Sequence, residues 1–500
     1  MISGFATRAA TTQVAATNRA VAYSQTDPGG LYFSQAGFGC YRVSAGVQAH
    51  ADALQTALSH GVNLIDTSAN YADGASEILV GQVLQNLIET GSLDRDQVIV
   101  VSKVGYLQGQ NLALSRKKTA EGNPFKDLVH YNDDLEHCIH PDFITDQLTR
   151  SLERLGLETL DYYLLHNPEY YLEWALKSDL PLEDTRREYY RRIQAACRQL
   201  EEEVRKGRIR HYGISSNTLP ARARDPEFTS LETIWKIVAA LPGTHHFRMI
   251  QMPLNLLEKG AVLEKNQSRE ASVLAFARAN NLAVVINRPL NAFNGNSLVR
   301  LADIPSRSRQ AYSDIIAKIR AVIKSETRLW KKILPECDFI PEGIRVRIKD
   351  QLAVGNTLKH YWKNFGSYER WRQTKNSMFL PRVNGVYEYL AQHDEQNQKL
   401  APWIRDHTAC LEAAFDAVAS IYLADAARRV EALTRSVSGA DPDWGGAGTL
   451  SQKAVRAIRS TAGVTAVLVG MRRAEYVADI LEELGRPVQV ADRQRSWESL

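Results

Sequence analysis

Four polar side chains of this 500-residue chain close or closely follow apolar runs. Asp66 ends VNLID, and Tyr71 follows it in DTSANY. Lys103 ends VIVVSK, and His166 ends LDYYLLH. An unbroken apolar run reads as a strand buried on both faces, the habit of parallel sheets. In a closed barrel of parallel strands, the C-terminal strand ends converge on one face. An acid, a phenol, an amine and an imidazole would then share a pocket. That set suits proton transfer at a carbonyl oxygen.

The elements that must position them recur along the chain. Eight short apolar runs stand at 36–40, 62–66, 98–103, 160–166, 209–215, 247–252, 282–287 and 464–470. Amphipathic helical patterns lie between them, at 47–59, 76–89, 142–155, 190–206 and 267–280. Gly61, Gly91, Gly156 and Gly207 stand where such helices would stop. Strand alternating with helix predicts a parallel sheet, and eight units close a barrel. The fold expected is α/β, a (β/α)8 TIM barrel. Its domains read as an N-terminal arm and hairpin (1–35), a first barrel part (36–294), a mainly helical insertion after the seventh strand (295–447), and a last barrel part (448–500).

The opening hairpin, with its turn at Asp27-Pro28-Gly29-Gly30, would plug the barrel bottom. Long connections at 104–140, 167–185 and 288–447 all leave C-terminal strand ends. The last has apolar stripes of its own. One runs through Tyr312, Ile315, Ile316, Ile319, Val322 and Ile323, then Leu329 and Ile333. The other runs through Leu411, Phe415, Val418, Tyr422 and Leu433. The Gly-rich stretch SGADPDWGGAG (438–448) reads as a flexible tether.

Composition is that of an ordinary globular protein, 44% hydrophobic with a net charge of +4. That mild excess of base requires neither a nucleic acid nor a membrane. Five scattered cysteines without CxxC spacing argue against a disulfide framework and point to a reducing compartment. No metal is expected: His137-Cys138-Ile139-His140 lacks ligand spacing, and His245-His246 reads as surface. The first 26 residues hold no acid and two arginines. They lack an amphipathic arginine face, so they read as a polar arm rather than a transit peptide, and the expected location is cytoplasmic. Base and aromatics interleave at 343–375. Aromatics packed inward under solvated charges are the favoured reading there, over nucleic-acid binding.

In order along the chain, several segments resemble the aldo/keto reductase superfamily. They are GVNLIDTSANYADGASEILVG, SKVG, DYYLLHNP, GRIRHYGISS, IQMPLNLLE and VLVGMRRAEYVADI. The inserts at 107–140, 168–188 and 295–447 fall outside the resemblance. It implies a barrel enzyme that reduces carbonyls with a nicotinamide cofactor and no metal. Its catalytic tetrad falls on Asp66, Tyr71, Lys103 and His166. Tyr71 would be the general acid, with its pKa lowered by Lys103, which Asp66 keeps charged. His166 would orient the carbonyl oxygen.

The resemblance also implies cofactor contacts at Gly39, Cys40, Tyr41, Asp66, Ser215, Ser216, Gln251, Asn287, Arg288, Leu290, Gly470, Arg472, Arg473 and Asp479. Two positions depart from it. Asn287 or Arg288 stands where an aromatic ring stacks on the nicotinamide in many members, with Phe293 as a candidate replacement, and Ile480 replaces an asparagine. Cations are disfavoured at a helix N-terminus, so Arg472 and Arg473 suggest an anionic ligand there and NADP(H) ahead of NAD(H). The expected activity is reversible hydride transfer between NADPH and a small polar or sugar-like carbonyl or alcohol. The alternative is a nicotinamide-binding regulatory or accessory protein that uses its insertion to bind a partner. The insertion is also a candidate surface for self-association.

Overall fold

The computed structural model describes residues 1–26, 30–294, 297–304, 310–393 and 398–500. The chain divides into two compact units, Met1–Ala292 with Ser436–Leu500, and Phe293–Arg435.

The first unit contains a closed barrel. Its strands are β1 (Ala36–Gly39), β2 (Leu64–Asp66), β3 (Ile99–Val104), β4 (Leu160–His166), β5 (Ile209–Ser215), β6 (Phe247–Pro253), β7 (Ala283–Asn287) and β8 (Ala466–Val469). All eight coincide with the apolar runs. Neighbours pair in parallel around the ring, β8 closing on β1. Helices on the outside are α1 (Gln48–Ser59), α2 (Ala75–Glu89), α3 (Pro141–Leu155), α4 (Leu182–Arg205), α5 (Leu231–Ala239), α6 (Val273–Ala279), α7 (Leu450–Arg459) and α8 (Ala474–Leu484). The four glycines read as helix stops all take positive φ. The barrel is a (β/α)8 fold with a large, mainly helical insertion after β7.

Register sets up one face. Asp66 lies beside Gly39 and Val101, while Ser215 lies between His166 and Gln251. Between Tyr212 and Gly213 the β5–β6 register shifts, and a Cβ at Gly213 would stand 1.8 Å from the Met249 carbonyl oxygen. Only glycine fits that approach. At the opposite end, strands Tyr23–Gln25 and Tyr32–Ser34 form an antiparallel hairpin. Phe33 is fully buried there against Leu64, Ile99 and Tyr162 in the barrel core. The turn residues Asp27-Pro28-Gly29 lie outside the described residues.

Several local expectations need correction. The N-terminal arm contains a helix, Arg8–Thr17, whose Thr7 hydroxyl caps the Ala10 amide. The pattern at 267–280 yields only α6 as helix, because Ser272 caps it and Arg269 has positive φ. α4 starts at Leu182, eight residues before the pattern read at 190. His245 and His246 are half-buried, and His246 Nδ1 meets Glu201 at 2.7 Å. The stretch 438–448 is no loose tether. Trp444 is fully buried, donates to Ser460 Oγ (2.9 Å) and packs on Trp497, while Arg493 pairs with Asp441. A tryptophan in a Gly-rich segment is the residue that composition averages away.

The second unit is mainly helical. Its elements include helix Tyr312–Arg328, continued by a wider turn Leu329–Ile333, and the long helix Leu400–Ala440 as far as Arg435. Ile315, Ile319 and Val322 share a core with Trp371, Phe379 and Phe415. Tyr312 and Ile316, read as part of the stripe, are exposed, and Leu433 is only half-buried. In the basic-aromatic stretch Trp362 and Trp371 point inward, whereas Tyr361 is exposed. No helix among the described residues is long and apolar enough to cross a membrane.

One cluster ties the last barrel unit together. Glu483 of α8 is fully buried between Arg456 and Arg459 of α7, at 2.6 and 2.8 Å. Arg459 also donates to Gln35, just before β1. Removing one member of a buried ionic cluster leaves charge stranded. Glu483→Ala is therefore expected to lower stability by about 3–5 kcal/mol, read as a fall in urea midpoint. A loss below about 0.5 kcal/mol, as at ordinary surface sites, would refute the clasp.

Candidate active site

Lys103 is fully buried near the C-terminal end of β3. Its ammonium has three protons and spends all of them. One goes to Asp66 Oδ2 (2.5 Å), one to the Thr67 carbonyl (2.9 Å) and one to the Tyr71 hydroxyl oxygen (3.3 Å). The ammonium also lies 4.8 Å from the Tyr71 ring centroid. Asp66 Oδ1 accepts from Gln251 Nε2 (2.7 Å), and the Gln251 carbonyl accepts from Ser215 Oγ (3.0 Å). The ring of His166 stands edge-on to Tyr71 at 5.9 Å. All four residues of the expected tetrad thus meet at one mouth of the barrel.

The electrostatics differ from expectation at Tyr71. Burial dominates and pushes its hydroxyl up to about 12, although Lys103 pulls the other way. Desolvation penalises the phenolate more than one neighbouring cation favours it. Tyr71 is therefore neutral at pH 7. Burial, then the Lys103 charge, lowers the His166 pKa well below the usual imidazole range. The ring is neutral and can donate from only one nitrogen.

Sequence reasoning missed much of the wall. Tyr106 stacks edge-on to His166 (4.7 Å) and to Tyr170 (5.3 Å), and Tyr41 stands edge-on to Tyr71 (5.3 Å). His137, discounted as a metal ligand, is buried and lies 2.7 Å from the His166 carbonyl oxygen through Nε2. Only a ring N–H can bond a carbonyl, so His137 carries its proton on Nε2. Gly105 permits this approach, because a Cβ there would lie 2.5 Å from both atoms. Tyr106 directly follows SKVG, and His137 comes from 107–140, outside the segments that carry the family resemblance. Ser68 and Glu169 lay in plain view, two and three residues beyond Asp66 and His166.

The expected cofactor contacts fall into groups. Gly39 and Gly470 end or follow β1 and β8, and Gly470 has open space where a Cβ would be. Cys40 is buried and burial pushes its thiol up, whereas Tyr41 is largely exposed. Ser216 is fully buried beside Thr218. At the end of β7, the buried Asn287 Oδ1 has no hydrogen-bond partner among the described residues. Arg288 has positive φ (52°) and pairs with Glu258 at 2.8 Å, and Leu290 is buried. Phe293 belongs to the second unit. Arg472 is half-buried and Arg473 exposed, at the start of α8, which lacks a side-chain cap. Asp479 is committed to the hydroxyls of Thr449 and Ser451 (3.1 and 2.7 Å), and Ile480 is buried.

These donors and acceptors fit a nicotinamide dinucleotide. Asn287 Oδ1 and the Ser215 oxygen can accept from a carboxamide. The uncapped start of α8, beside two arginines, suits a phosphate. Strand-end tetrad and donor set belong to one closed βα-barrel. The sequence profile of the aldo/keto reductase family matches residues 38–301. The chain belongs to that family.

Relatives are similar over parts of their length. D-threo-aldose 1-dehydrogenase of Pseudomonas sp is 32% identical over 178 residues, 33% of this chain and 51% of that protein. NADH-specific methylglyoxal reductase of Escherichia coli is 32% identical over 115 residues, 23% and 30% of the two chains. D-arabinose 1-dehydrogenase of Saccharomyces cerevisiae is 29% identical over 164 residues, 33% and 35%. The chain thus spans about a third to a half of these relatives' length. A solved aldo/keto reductase from Klebsiella pneumoniae, in complex with NADP and acetate, is 22% identical with a TM-score of 0.32, covering 52% of this chain and 66% of that one.

Glu169 generates a test of the site's electrostatics. It is buried and its Oε1 accepts the Asn217 amide (2.7 Å). Burial raises its pKa from 4.5 to about 7. A carboxyl raised on folding gives stability that is full below about pH 4.5 and lost as pH rises through 7. Glu169→Gln keeps an acceptor for Asn217 and cannot ionise. The variant should lose less stability than the parent between pH 5 and 8, and should melt higher at pH 8. Parallel melting curves across that range would contradict a buried, titrating Glu169.

Proposed function

We propose that the protein is an NADPH-dependent aldo/keto reductase acting reversibly on small polar or sugar-like carbonyls and alcohols. The observation that carries this reading is the Lys103 ammonium, bonded at once to Asp66, Thr67 and the Tyr71 hydroxyl in a buried site edged by His166. Bound nicotinamide supplies or takes the hydride. Ser215, Asn287 and Gln251 would hold its carboxamide end, and Arg472 and Arg473 its phosphate end. His166, kept neutral, would donate a hydrogen bond to the carbonyl oxygen and orient it. Tyr71 would give the proton to that oxygen as negative charge develops there. Lys103 lies where it favours the resulting phenolate, and Asp66 keeps Lys103 charged and fixed.

The names of the sugar dehydrogenase relatives support the substrate class, and that of the methylglyoxal reductase supports small carbonyls. NAD(H) is the competitor to be excluded, since one relative is named NADH-specific.

Fluorescence titration with NADPH and NADH, followed by NADPH oxidation with aldehydes and aldoses, tests the proposal. Tighter NADPH binding is expected. Tyr71→Phe should keep that binding and lose about 10²–10⁴ in turnover, the weight of a general acid. Absence of binding to either nicotinamide would end the reductase reading.

The pH dependence should be asymmetric. Reduction needs protonated Tyr71, so with a pKa of about 12 it stays untitrated by this group below about pH 11. Alcohol oxidation needs the phenolate and should climb across about pH 8–11. A neutral-pH inflection in both directions that vanishes in Tyr71→Phe would contradict this assignment.

A further inference from the structure

His166 presents its two ring nitrogens to different partners. Nδ1 lies 3.1 Å from Ser68 Oγ in a buried contact. That leaves Nε2 as the nitrogen able to meet a substrate. The neutral ring has one proton, so one nitrogen donates and the other accepts. Donation to a carbonyl oxygen from Nε2 requires Nδ1 to be bare. Ser68 must then give its single hydroxyl proton to Nδ1.

Ser68 is also part of a longer chain. Its oxygen lies 2.7 Å from Asn70 Oδ1, and Asn70 Nδ2 lies 3.3 Å from Gln108 Oε1. In that orientation the serine proton goes to Asn70, and Nδ1 keeps the imidazole proton. A half-turn of both amides exchanges oxygen for NH2 at nearly unchanged shape and reverses every bond. Gln108 then donates to Asn70, Asn70 donates to Ser68, and Ser68 donates to His166. The chain has two proton orders, and each specifies a different tautomer of His166.

We propose that Ser68, Asn70 and Gln108 are positioning residues that set the His166 tautomer, ordered in the working protein so that Nε2 carries the proton. The inference rests on the reductase reading, because that reading assigns His166 a donor role. It adds the source of the donor. Gln108 comes from the 104–140 connection, so a loop residue would set the chemistry of a strand-end residue.

The test uses the full chain labelled with 15N-histidine. Twelve histidines are present, and His166→Gln identifies the signal of interest. Its 15N shifts report which nitrogen is protonated, with or without turnover. The parent protein is expected to show the Nε2–H form. Gln108→Glu is nearly isosteric and ends the chain in an acceptor. It forces Asn70 to turn its NH2 outward and should shift His166 to the Nδ1–H form. Ser68→Ala should give a mixture of tautomers, and Ser68→Thr should retain the parent form.

In turnover, Gln108→Glu should lower kcat about tenfold to a thousandfold, as for a lost oxyanion donor, while nicotinamide affinity stays unchanged. An Nδ1–H parent, or a tautomer indifferent to both Gln108→Glu and Ser68→Ala, overturns the proposal. A parent protein with the expected tautomer response but no carbonyl turnover would instead sink the reductase reading and leave the relay standing.

Discussion

The rest of this site depends on the ion pair between Lys103 and Asp66. A fully buried ammonium is tolerable only if its charge is met and its protons are all used. Here both conditions hold, with Asp66, Thr67 and Tyr71 taking the three protons. Satisfying Asp66 in turn recruits Gln251, and satisfying Gln251 recruits Ser215. Strands β2, β3, β5 and β6 are thereby linked by side chains as well as by their ladders. Such a network requires the barrel to be closed, because its members come from opposite parts of the ring. Closure supplies the positions, and the ion pair makes them interdependent.

The same burial has an opposing effect on the chemistry. Low dielectric strengthens the pull of Lys103 on Tyr71, yet it penalises the phenolate more. The outcome is a phenol near 12 rather than one tuned toward neutrality. In the proposed reaction this favours Tyr71 as proton donor in the reductive direction. It also means that Lys103 matters most once charge has begun to move, when a phenolate is forming and an ammonium already stands beside it. A preorganised charge of this sort needs no reorganisation at that moment.

Much of this was legible in the sequence, for reasons that differ by element. Strands buried on both faces produce unbroken apolar runs, so all eight barrel strands could be read. Asp66, Lys103 and His166 stand out because a polar residue interrupts such a run. Tyr71 was visible through its place beside them. What escaped had no periodic or compositional mark. Thr7 and Ser272 set helix starts through one hydroxyl each, and Trp444 anchors a Gly-rich stretch that reads as loose. Tyr312 and Ile316 continue an apolar stripe but are exposed, since a stripe gives spacing rather than the width of the packed face. The net direction at Tyr71 was also out of reach, because it depends on a balance of burial against charge that only coordinates reveal.

Part of the wall of the site comes from the connection after β3. Tyr106, Gln108 and His137 all come from 104–140, and they touch or extend toward His166 from outside the barrel strands. His137 fixes the His166 backbone carbonyl, and Gly105 makes room for it. Strand ends therefore carry Asp66, Lys103 and His166, while the connection after β3 meets His166 from outside the strands. That division is expected of a barrel, whose loops vary while its strand ends persist. It follows that membership of the family fixes the type of chemistry far more firmly than it fixes the substrate. The rings of Tyr41 and Tyr106 stand edge-on to Tyr71 and His166, and Tyr170 stands edge-on to Tyr106.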